Sequence, residues 1–408
     1  MTDDSDVSDV PESGGALAGF RVIDLTRVLG GPYCTQILAD NGAEVIKVEP
    51  PQGDEVRDWG PPFKGGISAY FAGVNRNKRA IGIDLSTPEG QEVLFRLLED
   101  ADVMIDNFKP GSFERWGIGY EGVLQARFPR LIYCSITGFG ADGPFGGFPG
   151  YDAVAQALSG QISVNGTPET GPVRLGIPIV DLATGLFAAI GILMAAEERR
   201  RSGRGQRVDA SLFDTGVALL HPQAANFFMT GKTPVPTGNS HPNISPYEQY
   251  PTGNGRIFLA VGNERQFRFL WDELGRSEVA DDPRFLRNSD RIENRAALNA
   301  LIIQALADRD AEEVSRHLLA RGVPAGAVLT IPEMAAHPHT AHREMVVEID
   351  DYKGTGLPLK FGRTPGAART KPPLYGSATR DVLGEAGYSA DEINTLIESG
   401  TARVDRST

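Results

Sequence analysis

A chain of 408 residues, 41% of them hydrophobic, can bury a large core and exceeds the usual size of one domain, so two domains are expected. Its 53 acidic residues outnumber 40 basic ones, for a net charge of −13. That excludes a broad electrostatic attraction to nucleic acid or an anionic membrane, and an anionic ligand would need a local basic pocket.

The first sixteen residues, beginning MTDDSDVSDVPESGG, read as a disordered acidic tail, opposite in character to a secretory signal. No apolar run is seen to approach the roughly 18 residues of a membrane span. A cytoplasmic protein is expected. Cys34 and Cys134 lie far apart without metal-type spacing, so both are expected as reduced core residues.

Phe20 to Leu25 reads as a buried strand, Pro32 opens a helix through Leu38, and Ala43 to Val48 reads as the next strand. Thr87 then caps a helix with Pro88 and Glu89 in its first turn, and 101–108 supplies another strand. A helix over 120–127 and a strand over 131–136 continue the rhythm. Alternating strands and helices predict an α/β fold: a large Rossmann-like, mainly parallel sheet whose ligands gather at the carboxyl ends of its strands.

From Ile179 to about Ser202 runs a long helical pattern, apolar first and basic at its end, as the helix dipole favours. Gly203 to Gln206 breaks it, and a strand over 208–212 and a helix near Asp214 follow. Residues 231–251 are rich in Pro, Gly, Asn and Ser and read as a linker or substrate loop. Beyond them, a strand at 256–263 and helices over 266–274, 294–307 and 310–320 form a smaller α/β domain. Strands over 325–331 and 357–361 lead to a C-terminal helix with a capping box, Ser389 and Glu392. The expected division is 1–16 tail, 17–225 large domain, 226–330 small domain and 331–408 returning to the large one.

Among candidates for chemistry, Asp181 stands at the start of the long helix, where an Asp is more often a cap than a catalyst. Its context decides the matter. PIVDLATGLFAAIGI followed by RRRSGRGQRVDASLFD resembles the central motif of the class III CoA-transferase family, with Asp181, Thr184 and Gly185 on its D-x-x-T-G. LAGFRVIDLTRVLGGPYCTQILADNGAEVIKVEPPQGDEVR, NRNKRAIGIDLSTPEG, DNFKPGSFERWGI and SITGFGADGPF extend the resemblance over nearly the whole chain.

That resemblance implies a two-domain chain in an interlocked homodimer. It also implies that Asp181 is a nucleophile toward an acyl-CoA thioester, with a small carboxylic acid as acceptor. Coenzyme A and acyl-CoA enter as substrates, and neither a permanently bound cofactor nor a metal is expected. An ionised Asp can attack a thioester carbonyl to give a mixed anhydride, and the helix N-terminus is expected to keep Asp181 ionised. Val28, Leu29, Lys78, Asn107, Phe108 and Arg115 fall on positions that line the CoA site in the family, with Lys78 and Arg115 placed to meet phosphates. Pro50 and Thr137 stand where formyl-CoA transferase has basic residues, and Arg57, Arg76 and Arg79 are the alternatives weighed to replace them. His241, Asn243, Tyr247 and Tyr250 are candidates for the acceptor pocket.

Four other readings compete. Gly30-Gly31 is no dinucleotide fingerprint. His337, His339 and His342 can be drawn as a metal site but also suit an ordinary polar segment. The racemase of this family moves a proton with the His of a G-H-D motif, where this chain has Gly150, Tyr151 and Asp152; a phenol is a poor proton shuttle at neutral pH, which favours transfer chemistry. A non-catalytic CoA-binding protein would have no need of Asp181.

Overall fold

A computed structural model of the chain describes residues 14–404. Of the acidic tail expected over 1–16, residues 1–13 lie outside the described residues. Gly14 and Gly15 instead pack in a turn against Asn41 and Gly42, where a Cβ on Gly42 would meet the Gly14 carbonyl oxygen at 1.9 Å.

The chain divides into two compact units: one holds residues up to Gln161, Leu175–Pro222 and His339 onward, and the other holds Ile162–Arg174 and Gln223–Pro338. The excursion at 162–174, a short hairpin, has no counterpart in the boundaries read from the sequence.

The first unit is built on a seven-stranded sheet. Its strands are β1 (Arg21–Asp24), β2 (Glu44–Glu49), β3 (Lys78–Ile83), β4 (Val103–Asp106), β5 (Ile132–Thr137), β6 (Arg207–Ser211) and β7 (Ala402–Arg403). They lie in the order β6-β5-β4-β1-β2-β3-β7, all parallel except β7, which runs antiparallel to β3. This is the doubly wound order, and its strand sequence reverses between β1 and β4, where a crevice opens at the carboxyl ends.

Near-continuous apolar strands arise because both sheet faces are covered. The principal helices are α1 (Gly30–Asp40), α2 (Pro88–Leu98), α3 (Asp152–Leu158) and α4 (Ile179–Ser202). On one face Ile23, Ile46 and Ile81 pack with Leu94 and Leu97 of α2 and with Leu383 and Leu396 of the C-terminal helices. On the other, Val22, Val45 and Ile105 pack with Leu38 of α1 and Ala188 and Ile192 of α4. Cys34 and Cys134 are both free thiols in this second cluster.

Local signals act as the sequence indicated. Thr87 Oγ1 accepts the Gly90 N–H at 3.1 Å at the start of α2. Ser389 Oγ accepts the Glu392 N–H at 3.3 Å while Glu392 accepts the Ser389 N–H at 2.7 Å. At the basic end of α4, Arg199 pairs with Asp102 at 2.6 Å.

Two expectations are corrected. Residues 357–361 form no strand: Pro358 has no N–H to donate, and the hairpin there is Val346–Ile349 with Tyr352–Thr355. The helix expected over 120–127 is present, in π geometry over Tyr120–Leu124 and α geometry over Gln125–Arg127. And α4 is, by length and composition, apolar enough to cross a membrane. With 44% of its apolar window buried, it reads equally as a core helix, packed on the sheet and on α1.

In the second unit, strands Tyr247–Pro251, Arg256–Ala260 and Ala325–Ala327 form an antiparallel sheet. Helices Glu264–Glu273, Arg295–Leu306 and Ala311–Ala320 bring Phe267, Trp271, Leu298, Ile302 and Leu318 to its core. Residues 231–246 form neither helix nor strand.

Candidate active site

The switch point of the sheet opens into a cavity of about 270 Å³ lined by the turn after β1 (Arg27 to Gly30), the turn after β4 (Asn107 to Pro110), Thr137, Tyr151 and Asp181. The glycine pattern explains how Asp181 reaches it. A Cβ on Gly185 would lie 2.5 Å from the Gly30 carbonyl oxygen, so α4 can press against α1 only with glycine there. A Cβ on Gly30 would in turn come within 3.1 Å of the Asp181 carbonyl oxygen and 3.7 Å of Oδ1. Thr184 is fully buried and donates its hydroxyl to the Val180 carbonyl at 2.7 Å. Of the D-x-x-T-G motif, then, Asp181 alone lines the cavity, and the threonine and glycine seat its helix.

The amides at the start of α4 are not available to Asp181. Pro178 precedes the helix without a capping side chain, and the carboxylate of Asp152, at the first residue of α3, takes the vacant role. Its Oδ1 accepts the Val180 N–H at 2.8 Å and the Asp181 N–H at 3.2 Å, and its Oδ2 accepts from Gln156 Nε2 at 2.6 Å. Burial, then the negative charge of Asp152, pushes the Asp181 carboxyl up to about 7. The expectation that the helix N-terminus keeps Asp181 ionised is therefore overturned: the helix's donors are spent on another carboxylate. Tyr70 responds to the same pair, its phenol raised to about 12 by burial and by the charges of Asp181 and Asp152.

The other expected site residues divide. Val28, Leu29, Asn107 and Phe108 all line the cavity. Asn107 also clamps the neighbouring turn, accepting the Arg27 N–H at 2.9 Å and donating to the Arg27 carbonyl at 2.7 Å. Phe108 stands among Phe113 and Trp116 at ring-centre distances of 5.6 and 5.8 Å. Lys78 does not reach the cavity. Its side chain is fully buried under α1, donating to Asp24 Oδ2 at 3.1 Å, the Pro32 carbonyl at 2.9 Å and Asn75 Oδ1 at 2.9 Å, and burial pushes its ammonium down to about 8. A lysine so enclosed is part of the support for α1, not a phosphate ligand. Arg115 is exposed, donates to Ser112 Oγ at 2.9 Å and stands outside the cavity lining.

None of the arginines weighed as replacements is available. Arg57 grips Glu49 with two bonds of 2.8 and 2.6 Å, Arg76 grips Asp40 at 2.9 and 2.6 Å, and Arg79 pairs with Glu385 at 2.6 and 2.7 Å. Pro50 instead lines a neighbouring cavity of about 610 Å³ beside Phe108, Lys109, Ser112 and Trp116, and Arg27 faces both cavities. Arg27, Lys109 and Asp152 went unnoticed as site residues in the sequence. The available signal was their place in the loops that follow strands, and Asp152 was weighed only as the last residue of a proton-transfer motif.

In the second unit, Tyr250 is 1% exposed with its hydroxyl donated to Asn299 at 2.9 Å, so it belongs to the core. His241 lies against the Tyr247 ring at 4.9 Å and accepts the Asn243 N–H at 3.1 Å. Among the described residues no three His, Cys, Asp or Glu side chains group as a metal site, His337, His339 and His342 included.

Comparison with known proteins places this arrangement. The family model for CoA-transferase family III matches residues 17–379. The succinate–glutarate CoA-transferase of Agrobacterium fabrum is 40% identical over 391 residues, 93% of this chain and 98% of its own. The succinyl-CoA:mesaconate CoA-transferase of Haloarcula hispanica is 37% identical over 407 residues, 96% and 99% of the two chains. A crystal structure of a CAIB/BAIF family protein from Brucella suis superposes with a TM-score of 0.83 at 39% identity, covering 92% of this chain and all of that one. The chain belongs to CoA-transferase family III and is an enzyme of that class.

Proposed function

We propose that this enzyme moves coenzyme A from an acyl-CoA donor to a carboxylic acid through covalent intermediates on Asp181. The carboxylate of Asp181 attacks the thioester carbonyl, the C–S bond breaks, and an aspartyl anhydride and CoA thiolate result. The thiolate then attacks the aspartyl carbonyl, expelling the donor acid as its carboxylate and leaving an aspartyl-CoA thioester. An incoming carboxylate repeats the two steps in reverse, so that a new acyl-CoA departs and Asp181 is regenerated. Every step exchanges one anion for another, and no net proton is taken up or lost.

The observation that carries this reading is the state of Asp181: a carboxylate on the cavity wall at the sheet's switch point, with neither an ion-pair partner nor a capping amide among the described residues. Such a carboxylate, once ionised, is a stronger nucleophile than one held at the ordinary value near 4. The names of the Agrobacterium and Haloarcula relatives support a succinyl donor and a short dicarboxylic acid as acceptor. The reading also takes the enzyme to be a cytoplasmic homodimer without a permanently bound cofactor.

Incubation of the purified protein with succinyl-CoA and a panel of carboxylic acids, followed by mass spectrometry, tests it. New acyl-CoA species are expected from wild type and none from Asp181→Ala or Asp181→Asn, with a CoA-sized adduct on Asp181 in wild type alone. Exchange that survives in both variants would sink the mechanism.

A further inference from the structure

The turn after β1 is held by more side-chain contacts than a chain reversal needs. Lys47 Nζ donates to the Thr26 carbonyl at 2.7 Å, and its ion-pair partner Asp54, 2.9 Å away, accepts the Val28 N–H at 3.2 Å. Between those two anchors, the Asn107 side chain takes both backbone groups of Arg27. Lys47 and Asp54 have fully buried side chains, and a buried ion pair gives little stability over an apolar pair of the same size. Its result here is positional. Val28 is held at φ 69°, a left-handed conformation that a β-branched residue keeps only where its surroundings impose it.

Arg27 is the charged side chain that this clamp presents. Its guanidinium carbon lies 5.6 Å from the centre of the Phe108 ring, its Nε is buried with no acceptor, and it forms no ion pair among the described residues. It lines both the Asp181 cavity and the larger one beside Pro50. A guanidinium with a fixed backbone, a stacking partner and unspent donors is preorganised for an oxyanion.

We propose that Arg27 binds a phosphate of the nucleotide end of coenzyme A, taking over the charge that Pro50 and Thr137 do not supply. This rests on the CoA-transferase reading. The free carboxylate of a dicarboxylic acyl group would offer similar oxygens. The larger cavity favours phosphate: Lys109 adds a second cation and Trp116 an aromatic face, the Glu49 and Asp84 carboxylates on its wall are already occupied by Arg57 and Ser86, and Asp181 is not part of it.

Calorimetric titration with CoA, and displacement by pantetheine, of wild type, Arg27→Ala and Arg27→Gln tests the assignment, with thermal melts recording that each is folded. Arg27→Gln keeps a polar stem on Phe108 should the alanine variant unfold. CoA affinity is expected to fall about ten- to hundredfold in the variants, the range for a lost hydrogen bond to a charged group, while pantetheine affinity shifts less than twofold. Unchanged CoA affinity, or an equal loss for pantetheine, would overturn it. A wild type that binds CoA yet exchanges no acyl group removes the transferase reading, and the same titrations still decide the role of Arg27.

Discussion

The carboxylate of Asp152 accepts the backbone N–H of Asp181 at 3.2 Å, so one acid caps the helix from which the other lines the cavity. The arrangement sets the charge state of the site. An acid that takes the helix amides for itself leaves its neighbour exposed to both burial and like-charge repulsion, and both act to raise the neighbour's proton affinity.

A pH profile follows from this. If ionised Asp181 is the attacking group, kcat/KM for an acyl-CoA rises with pH through about 7 and levels off above it. Asp152→Asn keeps an amide oxygen able to accept the Val180 and Asp181 N–H groups but removes the negative charge. The midpoint of the rise is then expected to move to lower pH. A midpoint that stays put in the variant would mean that burial alone sets it.

Much of this fold could be read locally, and the site only in part. Thr87 and Ser389 act through neighbours within a few residues, and the apolar strands show in their own composition, which is why these elements appear where the sequence puts them. Asp181 was legible through a long motif. Lys78 was misjudged because its partner Asp24 lies 54 residues away on another strand, and nothing in the spacing reveals that the two meet beneath α1. Asp152 and Asp181, 29 residues apart, meet only because α3 and α4 start side by side. Arg27 escaped notice because a single arginine in a turn carries no signal until its potential partners prove occupied.

The glycine contact between α1 and α4 is open to a direct test. In Gly185→Ala the new methyl group would stand 2.5 Å from the Gly30 carbonyl oxygen, and backbone cannot rotate away as a flexible side chain can. A loss of about 1–3 kcal/mol in unfolding free energy is expected, as for overpacked cores. Because the strain falls where Asp181 is seated, kcat should drop more than the affinity for CoA. A variant with wild-type melting temperature and turnover would show that the helices separate at no cost.

The raised proton affinity of Asp181 also bears on stability. The folded protein holds this proton up to about pH 7, whereas an unfolded chain releases it near the ordinary value of 3.8. Between those limits the folded state binds more protons than the unfolded one, so Asp181's contribution to stability falls as pH rises from about 4 to 7, and the deficit persists above 7. Asp181→Asn removes the titration while nearly preserving shape. Its melting temperature relative to wild type is therefore expected to climb between pH 4 and pH 8, with a gain on the order of a few kcal/mol at the upper end. Melting curves collected across that range decide the point. A difference between variant and wild type that is flat with pH would mean that Asp181 ionises in the folded protein as readily as in water, and the account of a desolvated nucleophile crowded by Asp152 would fall with it.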